Sequence, residues 1–271
     1  MFDAAIIGPG PAGVSAALNL KIHNKSFIWV GSKRLSDKVT KAEQISNYPG
    51  FINASGEELN AAFLKQIEAM GIGITEGMVN VIYPMGDHYA LSIGADFAEA
   101  KTLILATGVA PGNVLPGEAE LVGRGVSYCA TCDGMLYRKK PVAVVGYSDS
   151  AKKEAEFLTS IGCTVTYFDR PKTCEISGGA KAERVTCDGQ TAEVACVFLL
   201  RPALAPTDMF PGIAVENGYV KVDRAMATNL PGVFAAGDCT GGPLQVSKAA
   251  GEGLVAGQSA AKYVADLTRK K

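Results

Sequence analysis

Three glycines near the start of the chain constrain its fold more than any other feature. Gly8-x-Gly10-x-x-Gly13 follows the apolar run Ala4-Ala5-Ile6-Ile7 and opens a helical segment reaching about Lys21. A second apolar run, Phe27-Ile28-Trp29-Val30, closes the unit. Short continuous apolar runs suit strands buried on both faces of a parallel sheet. The segment therefore reads as strand, glycine turn, helix, strand. The first glycine permits the tight turn, the second lets backbone approach a diphosphate, and the third lets helix and strand pack closely. The helix N-terminus supplies free N–H donors. The strand before and the helix after raise this pattern above a chance spacing of glycines. The second strand ends in Gly31-Ser32-Lys33, where an acid usually grips a ribose. Ser32 or backbone groups are expected to take that role.

A second βαβ start appears at Val142-Ala143-Val144-Val145-Gly146. A helix from about Asp149 follows, with Ala151, Ala155 and Leu158 on one face, and then the alternating strand Thr164-Val165-Thr166-Tyr167-Phe168. Leu59, Phe63, Ile67 and Met70 mark an amphipathic helix. Three further strands are expected. Leu103-Ile104-Leu105-Ala106 ends at Thr107-Gly108, and Cys196-Val197-Phe198-Leu199-Leu200 comes late. Val233-Phe234-Ala235-Ala236-Gly237-Asp238 ends in an acid before a long helix from about Gln245 to Leu267. Strands alternating with helices place the chain in the α/β class. Ala110-Pro111-Gly112 and Asn229-Leu230-Pro231-Gly232 read as linkers, which divides the 271 residues into two domains. One is discontinuous, 1–112 with 231–271; the other, 113–230, is inserted.

Net charge is −1, from 26 basic and 27 acidic residues. Without a global basic field, nucleic acid is excluded as the main partner. No apolar run reaches the ~18 residues of a membrane span, and Met1-Phe2-Asp3 leads into the first strand without a basic leader. Seven cysteines, an odd number at irregular positions, fit a reducing cytoplasmic setting in which most are buried small hydrophobes.

Cys129 and Cys132 are the exception, because Cys129-Ala130-Thr131-Cys132 brings two sulfurs within reach of one disulfide. The bland alternative is a zinc half-site, but structural zinc needs a second ligand pair. The other cysteines show no CxxC, and the only histidines are His23 and His88, so no metal is expected. Asp133 is the best-placed candidate proton donor for thiol chemistry; its other role would be to cap the following helix. Asp238 likewise suits either a polyol hydroxyl or a helix cap.

Along nearly its whole length the chain resembles the low-molecular-weight thioredoxin reductases. The matching segments are Gly8 to Gly13, Asn47-Tyr48-Pro49-Gly50, Ala106-Thr107-Gly108, Cys129 to Asp133 and Gly232 to Asp238. The resemblance implies an α/β flavoprotein with two dinucleotide-binding, Rossmann-like domains, the second inserted in the first and truncated. The implied cofactor is FAD, held by Gly8, Gly10, Pro11, Ala12, Gly13, Gly31, Ser32, Lys38, Asn47, Val79, Thr107, Gly108, Gly237, Asp238, Gln245 and Val246. Asn47 and Asp238 would touch the flavin or its ribityl chain. The family carries an Arg-Gln-Ala run after the acid; here it reads Leu244-Gln245-Val246, so only Gln245 transfers. By the same analogy Cys132 would face the flavin and Cys129 thioredoxin, with Asp133 as the acid. A homodimer is expected on this ground alone.

The departures from the family concern the electron donor. Members that use NADPH carry a second glycine fingerprint, which here reads Gly146-Tyr147-Ser148-Asp149-Ser150-Ala151. They also place basic residues after the next strand, where this chain has Phe168-Asp169-Arg170-Pro171. The 24 residues between Pro171 and Cys196 are expected to be too few for the helix and extra strands of a complete nucleotide domain. This combination resembles the ferredoxin-dependent flavin thioredoxin reductases of anaerobic bacteria, which implies ferredoxin as the donor. An NADPH-dependent enzyme with a divergent motif and a FAD-binding CxxC redox sensor are the alternatives. An acidic ferredoxin would need a locally basic patch. Lys33-Arg34 with Lys38 and Lys41 is one candidate, and Arg138-Lys139-Lys140 with Lys152-Lys153 is another.

Overall fold

The computed structural model describes residues 1–93, 96–109, 114–128, 130–147, 151–200 and 210–269, with backbone alone for Asn80 and Cys132. The first βαβ unit comprises β1 (Phe2–Ile7), α1 (Pro11–Ile22) and β2 (Phe27–Gly31), with β1 and β2 parallel. A short α2 (Asp37–Thr40) precedes α3 (Gly56–Ala69). A Ser55–Glu58 capping box starts α3, satisfying N–H groups that the first turn leaves unpaired. Leu59, Phe63 and Ile67 of α3 are buried, as the spacing predicts. Then come β3 (Thr75–Glu76) and an antiparallel meander of β4 (Val79–Pro84), β5 (Tyr89–Ile93) and β6 (Asp96–Leu105).

The inserted region contains α4 (Glu118–Leu121), β7 (Val126–Ser127), α5 (Ala130–Asp133), β8 (Pro141–Gly146), α6 (Ala151–Ser160) and β9 (Thr164–Asp169). It continues through β10 (Cys174–Ser177), β11 (Arg184–Cys187), β12 (Gln190–Glu193) and β13 (Cys196–Leu200). A small hairpin, β14 (Val215–Glu216) and β15 (Tyr219–Val220), precedes β16 (Val233–Ala235) and α7 (Val246–Arg269). In the first sheet the order is β3-β2-β1-β6-β5-β4, with β16 parallel to β6. In the inserted sheet it is β7-β13-β8-β9, all parallel. β8, α6 and β9 thus repeat the unit built by β1, α1 and β2.

The last helix is rich in small residues because it lies on α1 almost backbone to backbone. A Cβ on Gly253 would sit 2.2 Å from the Ala12 carbonyl oxygen, and one on Gly257 3.0 Å from that of Ala16. Together α1, α3 and α7 cover one face of the first sheet. Trp29, the single tryptophan, is buried there and donates its indole N–H to the Gly8 carbonyl at 2.9 Å, fixing the glycine turn to β2.

Three expectations are corrected. First, the 24-residue segment after Pro171 does hold extra strands: β10, β11 and β12 form an antiparallel sheet of three four-residue strands. A helix would not fit, but strands joined by tight turns do. Second, Cys174 and Cys187 are not free thiols. They face each other across β10 and β11 and form a disulfide. Third, Phe210, Ile213 and Val220 pack into the core of the first unit beside Tyr89, Val233 and Ala235. Asn229 accepts from the Ala214 N–H and donates to the Gly212 carbonyl. The chain has therefore returned to the first unit by Phe210, before the expected junction at 230/231. Apolar packing, not the Pro-Gly turn, sets this boundary. The expected linker Ala110-Pro111-Gly112 and the expected helix start at Asp149 lie outside the described residues. No helix among the described residues is long and apolar enough to cross a membrane.

Candidate active site

The glycine turn shows the division of labour that its spacing predicts. Gly8 has φ +116°, and a Cβ there would meet the Ala106 carbonyl oxygen at 2.1 Å. Gly13 is as tightly enclosed, 2.1 Å from the Gly8 carbonyl oxygen. Gly10 is different: a Cβ there would meet no protein atom within 4 Å. Gly10 therefore faces open space, while its two neighbours are closed in by backbone. It also caps α1 with extended backbone and no side-chain cap, so N–H groups of the first turn stay available. Gly31 packs against the Pro9 ring, where any larger residue would collide.

Gly10 opens onto a cavity of about 390 Å³. Its floor is made by the ends of parallel strands: Ala106-Thr107-Gly108 after β6, and Ala236-Gly237-Asp238 after β16. Pro11, Ala12, Ser32, Lys38, Asn47, Gln245 and Val246 complete the wall on the first-unit side. Most residues expected to bind cofactor therefore converge. Gly8, Gly13 and Gly31 act one layer behind the wall, as backbone spacers. Val79 does not line the cavity; it is 5% exposed, at the start of β4 with its side chain in the core. Asp238 is engaged: its Oδ2 accepts from Lys38 Nζ at 2.7 Å. One member of the candidate basic patch thus points into the cavity.

The far wall comes from the inserted unit, through Ser127, Tyr128, Asp133, Leu136 and Tyr137. Cys129 lies outside the described residues, and Cys132 sits on α5, whose backbone ends at Asp133 beside the cavity. The Ser127 hydroxyl donates to Asp133 Oδ2 at 2.7 Å. Burial pushes the Asp133 carboxyl above its ordinary range; the Ser127 bond and the Lys38 charge oppose this, and Glu43 adds to it. On α6, burial also raises the carboxyl of Glu154, which accepts a hydrogen bond from the Ala130 N–H at the start of α5. Both carboxyls feel Lys38, so one lysine ties the charge of the two walls together. The free cysteines among the described residues, Cys163, Cys196 and Cys239, are all buried. Burial raises each thiol, to about 11 for Cys239, which keeps them protonated and unreactive.

Sequence reasoning missed Ser127, Tyr128, Glu154 and the charged pair Lys248–Glu252 behind Gly237. Only the last pair left a signal, as two charges four apart in a helix of small residues. The others reach the site through tertiary packing.

The sequence profile of the pyridine nucleotide-disulphide oxidoreductases matches residues 2–186 and 172–253. A thioredoxin reductase from Listeria innocua is 32% identical, the alignment covering 98% of this chain and 95% of that one. Among solved structures, a ferredoxin-flavin thioredoxin reductase from Clostridium acetobutylicum is 39% identical with a TM-score of 0.65, covering 99% of both chains. A thioredoxin reductase from Streptococcus pyogenes is 30% identical with a TM-score of 0.84, covering 98% of this chain and 99% of that one. Proteins of this family carry FAD. The cradle here suits a dinucleotide: an open glycine at a helix N-terminus for the diphosphate, and a strand-end acid for a polyol. The fold, the cradle and these likenesses agree, and the chain belongs to the pyridine nucleotide-disulphide oxidoreductases, among the thioredoxin reductases.

Proposed function

We propose that this chain is an enzyme that reduces thioredoxin through the Cys129–Cys132 pair and takes its electrons from reduced ferredoxin, not from NADPH. One observation carries the choice of donor. The second fingerprint, Gly146-Tyr147-Ser148-Asp149-Ser150-Ala151, has a serine where a nicotinamide dinucleotide needs the glycine that lets backbone approach its diphosphate. Gly146 is enclosed as its counterpart Gly8 is: a Cβ there would lie 2.7 Å from the Tyr167 hydroxyl, which bonds in turn to Asp169 at 3.4 Å. In the first unit the position equivalent to Ser148 is Gly10, which faces open space. The missing glycine and the acid at the end of β9, Asp169, both oppose a 2′-phosphorylated dinucleotide. The likeness to the clostridial ferredoxin-flavin enzyme supports the same reading.

Bound FAD would supply the conversion between single electrons and the two-electron chemistry of a disulfide. Gly10, Pro11 and Ala12 would hold the diphosphate, Asp238 the ribityl chain, and Asn47, Gln245 and Val246 the ring. In the step with thioredoxin, a Cys129 thiolate attacks the thioredoxin disulfide and releases one thiol. Cys132 then attacks the mixed disulfide, releasing the second thiol and leaving the Cys129–Cys132 disulfide. Two electrons and two protons restore the dithiol, with Asp133 placed to give a proton. Serving both a buried ring and a large protein requires α5 to turn outward, so the inserted unit swings relative to the first. The fold superposes better on the less similar streptococcal sequence than on the clostridial one, along nearly the whole of each. Two rigid units set at different angles produce such a pattern, which supports the swing.

The test is anaerobic. Oxidised holoprotein and oxidised thioredoxin are mixed with reduced ferredoxin or with NADPH, and flavin bleaching and thioredoxin thiols are followed. Ferredoxin is expected to bleach the flavin and generate thiols. Rapid bleaching by NADPH overturns the donor, and bleaching without thiols overturns the enzyme in favour of a redox sensor.

A further inference from the structure

The first half of α7 carries only two charged residues, Lys248 and Glu252, among Ala, Gly, Ser, Val and Leu. Helix chemistry argues against both. Lys248 lies in the first turn, where the helix dipole disfavours a cation. The pair also runs in the weaker order, lysine before glutamate. Their side chains are only 16% and 21% exposed. When local preference fails twice at one place, the reason lies in tertiary contacts.

Those contacts all fall on the turn that bears Asp238. Lys248 Nζ donates to the Gly237 carbonyl at 2.7 Å and the Gly241 carbonyl at 2.6 Å, and lies 2.9 Å from the Thr240 hydroxyl. Its ion-pair partner, Glu252 Oε2 at 3.0 Å, accepts from the Gly237 N–H at 2.8 Å and from the Thr240 hydroxyl at 2.7 Å. Gly237, at φ +88°, is thus held at both its N–H and its carbonyl by a single ion pair. The same glycine and the adjacent Asp238 form part of the cavity wall.

We infer that Lys248 and Glu252 are positioning residues for FAD: they clamp the Gly237–Gly241 turn from behind and set the charge of the wall that Asp238 presents to the cofactor. The inference rests on assigning this cavity to FAD, not on the identity of the electron donor. The clamp needs both partners. Without Lys248 a carboxylate is left behind the turn, and without Glu252 an ammonium is left there, so the two losses share a structural effect but have opposite electrostatic ones.

The experiment uses the holoprotein and the variants Lys248→Met, Glu252→Ala and Glu252→Gln. FAD dissociation constants come from titration of apoprotein, and flavin midpoint potentials from dye equilibration. Lys248→Met and Glu252→Ala are each expected to weaken FAD binding roughly tenfold or more, corresponding to about 1.4 kcal/mol. Glu252→Gln, which keeps an acceptor for Gly237, should recover most of it. Reduction adds negative charge, so Lys248→Met should lower the midpoint potential and Glu252→Ala raise it. A merely structural role would not split the potentials by sign. FAD affinities within about twofold of wild type, or potentials that stay put or move together, overturn the inference. If Lys248→Met does not fold, Lys248→Gln gives the same readout of potential. Wild-type protein that binds no FAD would overturn the cavity assignment itself, a result distinct from insensitive variants.

Discussion

At the scale of single residues, the three fingerprint glycines make separable predictions. Gly10 has extended backbone and open space, so Gly10→Ala should cost the apoprotein only about 1 kcal/mol, the usual loss when alanine replaces glycine at an N-cap. It should still weaken FAD binding at least ~10-fold, because the methyl group enters the ligand's space. Gly13→Ala drives a methyl into the Gly8 carbonyl and should cost ~3 kcal/mol or more. Thermal unfolding of the apoproteins beside FAD titration checks both; equal effects in the two variants would contradict these roles. Asp133 makes a pH prediction. Burial lets the folded state keep its proton to higher pH than the unfolded chain does. The stability this group contributes therefore falls as pH rises from the unfolded value through the folded one. Turnover that needs the acid falls over the same window. Ser127→Ala removes a bond to the charged form, so the alkaline limb of kcat should move to higher pH. Asp133→Asn should lower kcat ~10²-fold or more.

At the scale of elements, the antiparallel sheet of β10 to β12 is where pattern reading underestimated the chain. Four-residue strands with polar outer faces give little periodic signal, and 24 residues suggested a gap. Register places Cys174 opposite Cys187, with the Asp188 N–H bonded to the Thr173 carbonyl on one side. A disulfide closing a loop of this length should stabilise the inserted unit by about 3 kcal/mol in the chain-entropy account. Denaturant unfolding of the double variant Cys174→Ala/Cys187→Ala, compared with the oxidised parent, measures this; unchanged stability would mean that the hairpin is held by its core contacts alone. By contrast α1 and α7 were legible throughout. Their glycines and alanines are what a helix needs to approach another backbone, and the structure brings them together there.

At the scale of the whole molecule, the cavity belongs to both units. The first supplies the cofactor cradle, and the inserted one brings Ser127, Asp133 and Tyr137 to its mouth. A crosslink engineered between the units should leave flavin reduction intact and abolish thioredoxin turnover; unaffected turnover would end the proposed swing. Net charge is only −1, so attraction for an acidic ferredoxin must come from local patches. Lys38 is committed to Asp238 and Lys140 sits over the Tyr137 ring, whereas Lys152 and Lys153 remain exposed on α6. Ferredoxin-driven bleaching should slow as ionic strength rises, in line with screening of exposed charges. A rate indifferent to salt would remove electrostatic docking.

The local chemistry of this protein is written in its sequence, because glycine turns, buried strands and a CxxC depend on residues close along the chain. That is why the two βαβ units, the open role of Gly10 and the strand-end acid Asp238 were readable without coordinates. Tertiary structure alone decided where the inserted unit ends, since Phe210, Ile213 and Val220 are assigned by the core they enter. It also decided that Lys38 meets Asp238 across 200 positions, that Ser127 steadies Asp133, and that Tyr167 covers Gly146. Such contacts join residues that no period or spacing relates, and only packing brings them within hydrogen-bonding distance.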